Sequence, residues 1–250
     1  MEQAGKSVHT ICQAVICEKC GGLGQIITVD DEGRTYAAEC DCEKVKRARR
    51  LLEKSGLARA VEAMTFGEYR AQEPWQQSAL QTVQEWTGEV MSGRAPWLFL
   101  GGQPGSGKTH LCTAACGALL DAGIAVRYML WVETSRQLKA SIYDGEAFER
   151  LIRPLIDAPV LYMDDLFKTR RGDQRSIQEA VTPADIRVAF EIIDARVRTN
   201  RPTIISTEWM LDELLAADDA TFSRVNCMSE GYQVQIRRDK GRNWRMKGAS

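Results

Sequence analysis

Gly102-Gln103-Pro104-Gly105-Ser106-Gly107-Lys108-Thr109 spells a glycine, four residues and then Gly-Lys-Thr, the pattern of a phosphate-binding P-loop. Pro96-Trp97-Leu98-Phe99-Leu100 before it reads as a short apolar strand, and the Ala- and Leu-rich run from His110 to Leu120 after it reads as a helix. That strand-loop-helix context is what the motif needs. Glycines let the backbone curl until successive N–H groups point inward, and the helix start adds partial positive charge, so the loop becomes a cradle for phosphate oxygens. Gly102 through Gly107, with His110 just beyond, are expected to surround the phosphates of ATP. Lys108 would reach the β- and γ-phosphates, and the Thr109 hydroxyl would ligate Mg²⁺.

A second signature follows at Val160-Leu161-Tyr162-Met163-Asp164-Asp165, an apolar run ending in paired acids. This is the Walker B pattern, in which the end of a strand beside the P-loop presents a carboxylate to the Mg²⁺ shell. Asp164 is the expected metal-side residue, and Asp165 the group that positions or activates water. Further strands are expected at Ala125–Leu130, Thr203–Ser206 and Gln233–Ile236, with helices at Glu133–Tyr143, Glu146–Ile156, Pro183–Thr199, Trp209–Ala217 and Thr221–Cys227. Strands alternating with helices predict an α/β fold, a parallel sheet with helices on both faces. Leu166 to Pro183, with Lys168, Arg170, Arg171 and Arg175, reads as a polar, basic loop.

The first fifty-odd residues have a different character. Cys17-x-x-Cys20 is followed by Gly21-Gly22-Leu23-Gly24, and after a gap comes Cys40-x-Cys42. Two cysteine pairs on short loops can supply the four thiolates of a tetrahedral Zn²⁺ site. Ile26–Val29, a turn at Asp30–Gly33 and Thr35–Ala38 read as a β-hairpin between the pairs. So small a region rarely stabilises itself by burial, and a structural metal supplies the missing folding energy. The competing reading, a redox dithiol, would come with a thioredoxin-like βαβ pattern, which is absent. Cys12 falls outside the spacing. From Asp41 to about Leu57 a charged stretch containing Lys44-Val-Lys-Arg-Ala-Arg-Arg50 reads as a basic linker helix. The expected organisation is a zinc-binding domain with its linker over 1–57 and an ATPase domain over 58–250.

Among the 250 residues no apolar run approaches the ~20 needed to span a bilayer, and the first residues lack the layout of a signal peptide. A cytoplasmic protein is expected, with no membrane partner. In that setting eight cysteines argue for metal binding or buried thiols rather than a disulfide framework. The formal net charge of −1 leaves local basic stretches, Lys44–Arg50 and Arg237–Lys247, as the candidates for an acidic partner.

Taken together, these motifs resemble the AAA+ helicase loaders of the DnaC type, particularly phage and prophage versions. The residues that carry the resemblance are the two cysteine pairs, Met64-Thr65-Phe66, the P-loop, Asp164-Asp165-Leu166-Phe167-Lys168, Arg201-Pro202-Thr203-Ile204-Ile205-Ser206-Thr207-Glu208, Phe222-Ser223-Arg224-Val225 and Arg242-Asn243-Trp244-Arg245. The resemblance implies that Thr65 and Phe66 lie near the adenine. Glu208 takes the position called sensor 1, where related loaders more often carry Asn, and Arg224 takes that of an arginine finger entering a neighbouring subunit's ATP site. It further implies self-association through the ATPase domain, a replicative DNA helicase as partner, and single-stranded DNA as the second ligand, with Arg136, Lys139 and Tyr143 as candidate contacts. Two other readings stay open. An IstB-type transposition helper has a similar ATPase core without the zinc cysteines, and a nucleotide-dependent scaffold would bind ATP with little hydrolysis.

Overall fold

The computed structural model describes residues 17–29, 32–54, 57–168 and 176–239. Cys12, Asp30 and Asp31 of the expected turn, Arg170, Arg171 and Arg175 of the basic loop, and the Arg242-Asn243-Trp244-Arg245 motif lie outside them. Two compact units divide the chain, Met1–Lys44 and Val45–Ser250.

In the first unit β1 (Gln25–Val29) and β2 (Thr35–Glu39) form an antiparallel hairpin that pairs Gln25 with Glu39 and Val29 with Thr35. No residue of either strand is fully buried, and Ile27 is 80% exposed. An isolated two-stranded ribbon of this kind is marginal in water. What is buried instead is Cys20 and Cys40. Helix α1 (Asp41–Lys54) begins in this unit, and its second residue is Cys42.

The second unit is built on a parallel sheet of β3 (Leu98–Gly102), β4 (Val126–Leu130), β5 (Val160–Leu166), β6 (Thr203–Thr207) and β7 (Gln233–Ile236), in the order β4-β5-β6-β3-β7. Its central strands are apolar almost without interruption because both faces are covered. Alternate residues feed two separate cores. Trp97, Phe99, Leu161, Met163 and Ile205 pack on one face against α5 (Trp131–Ala140), α6 (Gly145–Ile156), α8 (Pro183–Arg198), α9 (Leu211–Ala217) and α10 (Asp219–Met228). Leu98, Leu100, Tyr162, Ile204 and Val234 pack on the other against α3 (Pro74–Met91) and α4 (Lys108–Asp121).

Local signals set the helix starts. Pro74 opens α3 behind a capping box of Glu73 and Gln76, in which Gln76 Oε1 accepts the Glu73 N–H at 2.8 Å, and Thr182 with Asp185 closes a capping box at the start of α8. Two short helices were not anticipated. One, α2 (Ala58–Ala63), precedes the Met64-Thr65-Phe66 motif. The other, α7 (Ile177–Ala180), lies inside the stretch read as a loop, where Ser176 and Glu179 cap one another. The Ser-x-x-Glu spacing was legible there, but the polar surroundings masked it.

Candidate functional site

In a parallel sheet all strands end on the same side, and a ligand site forms beyond their carboxyl ends. Here the ends of β3, β5 and β6 meet around a cavity of about 370 Å³ lined by Pro104, Gly105, Gly107, Lys108, Thr109 and His110 from the loop, together with Asp165, Lys168 and Glu208. Met64, Glu68, Tyr69 and Arg70 close its other side.

The loop between β3 and α4 takes its shape from two glycines. At φ 100° Gly102 is left-handed, and a Cβ there would lie 2.1 Å from the Ile236 carbonyl oxygen. Gly107, at φ 93°, caps α4, and a Cβ there would meet the Tyr69 ring at 2.9 Å. Any side chain at either position would push apart the walls of the cradle. Ser106 donates its hydroxyl to the Gln103 carbonyl at 2.8 Å, and the buried Lys108 donates from Nζ to the carbonyls of Gly102 and Gln103, each at 2.8 Å. Burial pushes the Lys108 ammonium down from its ordinary range to about 8, against the opposing pull of Glu208 and Asp165.

The paired acids diverge. Asp164 is 4% exposed and lies behind the cavity wall. Its carboxylate accepts hydroxyls from three neighbouring strands: Tyr128 at 2.9 Å, Tyr162 at 2.6 Å, and Ser206. The phenol of Tyr128 is raised well beyond its usual range, first by burial and then by the Asp164 charge. Asp165 faces the cavity. It is held at φ 55°, with its N–H donated to Ser206 Oγ at 3.1 Å, so one serine braces both acids. Lys168 then returns to pair with Asp165 at 2.7 Å and with Glu208 at 3.6 Å.

Of the residues singled out from sequence, the structure thus gathers the P-loop, Asp165 and Glu208 into one cavity, with Asp164 supporting it from behind. Thr65 and Phe66 line a neighbouring cavity with Arg49, Val61 and Gly117. The Thr65 carbonyl is nonetheless 2.9 Å from His110 Nε2, which ties this segment to the P-loop helix. Arg224, on α10, does not line the cavity. It pairs with Asp194 at 3.4 Å, bonds the Ala220 carbonyl and lies 5.6 Å from the centre of the Phe190 ring. Lys139 is committed to Asp185 at 2.5 Å, while Arg136 and Tyr143 are exposed. Sequence reading passed over Tyr69, Tyr128 and Tyr162 as site residues and placed Lys168 in a loop. The signal for Lys168 was its spacing three residues after Asp165, within the motif already quoted.

In the first unit the sulfurs of Cys17, Cys20, Cys40 and Cys42 all lie within 4.8 Å of one another, with Cys17 to Cys40 at 3.7 Å and Cys20 to Cys42 at 3.4 Å. A tetrahedron with Zn–S bonds of about 2.3 Å places its sulfurs roughly 3.8 Å apart, so the donor set fits zinc. The Gly24 N–H donates to Cys20 Sγ at 3.3 Å. Burial raises the Cys20 thiol, but that N–H and the thiols of Cys42 and Cys40 bring it down to about 6, while burial and the neighbouring thiols push Cys42 up to about 12, so the two share one proton between them.

The sequence matches the family described as "IstB-like ATP binding protein" over residues 37–223. It is similar to the uncharacterized protein YqaM of Bacillus subtilis (strain 168), 31% identical over 87% of this chain and 70% of that protein. The phage-like element PBSX protein XkdC of the same strain is 29% identical over 94% of this chain and 87% of its own length. Among solved structures, that of the DnaC helicase loader superposes with a TM-score of 0.57 over 71% of this chain and 98% of that one, at 23% identity, a likeness of fold.

Proposed function

The chain belongs to the IstB/DnaC-like family of AAA+ ATP-binding proteins, and from that premise we propose that it hydrolyses ATP to load a replicative DNA helicase onto single-stranded DNA. The observation that carries the ATPase half is the single cavity in which a phosphate cradle, Lys108, Asp165 and Glu208 converge. The loader half rests on the likeness to the DnaC helicase loader and on the cysteine unit that accompanies the ATPase core.

In this reading the P-loop N–H groups and Lys108 bind the triphosphate, and the segment from Met64 to Arg70 closes over the nucleoside. Thr109 and Asp164 would hold Mg²⁺, the Asp164 carboxylate being fixed by three hydroxyls, and such an ion would supply charge neutralisation for the β- and γ-phosphates. Asp165 orients the attacking water and accepts its proton, and Glu208 borders the same space. Arg224 acts on a neighbouring subunit's site, so turnover depends on self-association. In the single chain Asp194 and Phe190 hold its guanidinium in reserve. Zn²⁺ on Cys17, Cys20, Cys40 and Cys42 would order the first unit, which with the basic Lys44–Arg50 stretch of α1 engages the helicase. Among the described residues no helix is long and apolar enough to cross a membrane.

The family match itself favours a second reading, a transposition helper of the IstB type. ATP turnover measured with and without single-stranded DNA, for wild type and Arg224→Ala, on protein of known zinc content, tests the proposal. The loader reading expects DNA-stimulated turnover that falls by at least about tenfold in Arg224→Ala, with about one zinc per chain. Turnover indifferent to DNA and to Arg224 overturns it, and a zinc-free, active protein favours the transposition helper.

A further inference from the structure

Lys168 owes its place to an uncommon stretch of backbone. At the end of β5 the chain turns through two non-glycine residues in the left-handed region, Asp165 at φ 55° and Phe167 at φ 57°, and the Lys168 N–H closes the turn on the Asp165 carbonyl at 2.9 Å. For a residue as bulky as phenylalanine this conformation is rare and must be imposed by its surroundings. The surroundings are explicit. Phe167 is 2% exposed, stacks edge-on against Trp131 and Phe222, and its carbonyl accepts the indole N–H of Trp209 at 3.2 Å. The packed core therefore fixes the turn, and the turn delivers one lysine to the nucleotide cavity.

At that point two carboxylates, Asp165 and Glu208, line a space built for a polyanion. Left to themselves they would repel it. Lys168 sits between them, 2.7 Å from Asp165 and 3.6 Å from Glu208, and all three side chains are only a third exposed or less. Asp165, Glu208 and Lys168 also all act electrostatically on the Lys108 ammonium. The cluster therefore lies within reach of the group that the P-loop pattern assigns to the β- and γ-phosphates.

We propose that Lys168 is the second phosphate-binding cation of this site, which bridges Asp165 and Glu208 in the nucleotide-free chain and exchanges Glu208 for the terminal phosphate when a triphosphate binds. Its pairing with Asp165 persists and holds that carboxylate in position. Lys168 is thereby the residue that distinguishes a triphosphate from a diphosphate, and Glu208 is the counter-charge that parks it when no terminal phosphate is present. The assignment rests on the ATP-site reading and extends it to how the γ-phosphate is sensed.

Calorimetric titration with Mg²⁺–ADP and with Mg²⁺–AMPPNP, on wild type, Lys168→Met, Lys168→Arg and Lys168→Met/Glu208→Gln, tests it. Loss of one charge-assisted contact corresponds to about tenfold in affinity or more. Lys168→Met is expected to weaken AMPPNP by at least that factor while leaving ADP within about twofold of wild type. Lys168→Arg is expected to recover part of the loss, and the double variant to stay weak for AMPPNP because the direct contact is gone. AMPPNP binding unchanged in Lys168→Met, an equal loss for both nucleotides, or full recovery in the double variant would overturn the assignment while leaving the ATP site standing. A wild type that binds neither nucleotide would overturn both.

Discussion

Lys108 is caught between two demands. In the proposed ATP site its side chain would have to be dry enough to bind phosphate strongly, yet a dry site disfavours the ammonium, and burial brings it down to about 8. The charged form is the one that binds phosphate, so nucleotide affinity should fall as pH rises through that value. ADP is expected to bind about tenfold more weakly at pH 9 than at pH 7, with titration calorimetry across that range as the check. An affinity flat from pH 7 to 9 would mean that Asp165 and Glu208 keep Lys108 fully charged. The same shift acts on folding with the opposite trend. Between about 8 and the ordinary 10.5 the unfolded chain holds the Lys108 proton and the folded one does not, so this group's contribution to stability rises with pH over that window. Asp164 shows a different solution to burying charge. Its carboxylate takes hydroxyls from Tyr128, Tyr162 and Ser206, which satisfy its oxygens and fix its rotamer.

At the scale of elements, the join between α6, α8 and β6 depends on one side chain. Arg196 of α8 is fully buried, and among the described residues no carboxylate pairs with its guanidinium. It donates to Thr203 Oγ1 at 2.8 Å and to the carbonyls of Leu155, Ile156, Ala158 and Pro202 at 2.6–3.0 Å. These carbonyls belong to the end of α6 and the connections into β5 and β6, where helix termini leave acceptors without partners. Arg196→Leu would strand several of them at about 1–3 kcal/mol each. A loss of at least about 3 kcal/mol is therefore expected in urea unfolding of the larger unit. A loss under about 1 kcal/mol would mean that water reaches those carbonyls. Sequence periodicity placed α8 correctly but carried no hint of this role, since an arginine on a helix usually reads as a solvated face.

For the whole molecule, the two units are stabilised in different ways. The larger has two hydrophobic cores, one on each face of its sheet. The smaller has an exposed hairpin and a cluster of four thiols. Structural zinc is associated with about 10–16 kcal/mol of apparent binding energy in small domains, so chelation should act on the smaller unit alone. Zinc-loaded protein treated with a strong chelator is expected to lose amide-exchange protection over Gln25–Glu39 while β3 to β7 keep theirs, and Cys40→Ser should reproduce the loss. Protection unchanged on chelation would show that the hairpin does not depend on metal.

The sequence by itself determined whatever depends on neighbours along the chain. The P-loop, the strand ending in paired acids, the cysteine spacing and the strand–helix alternation are all local patterns, and each reappears in the structure close to its expected bounds. Tertiary structure alone decided which of two adjacent acids faces the cavity. Strand alternation points Asp164 inward, and a left-handed turn swings Asp165 and then Lys168 into the cavity. Tyr128, Tyr162 and Ser206 converge on Asp164 because β4, β5 and β6 lie side by side. That adjacency arises from long-range burial of apolar faces, which no short stretch of sequence encodes.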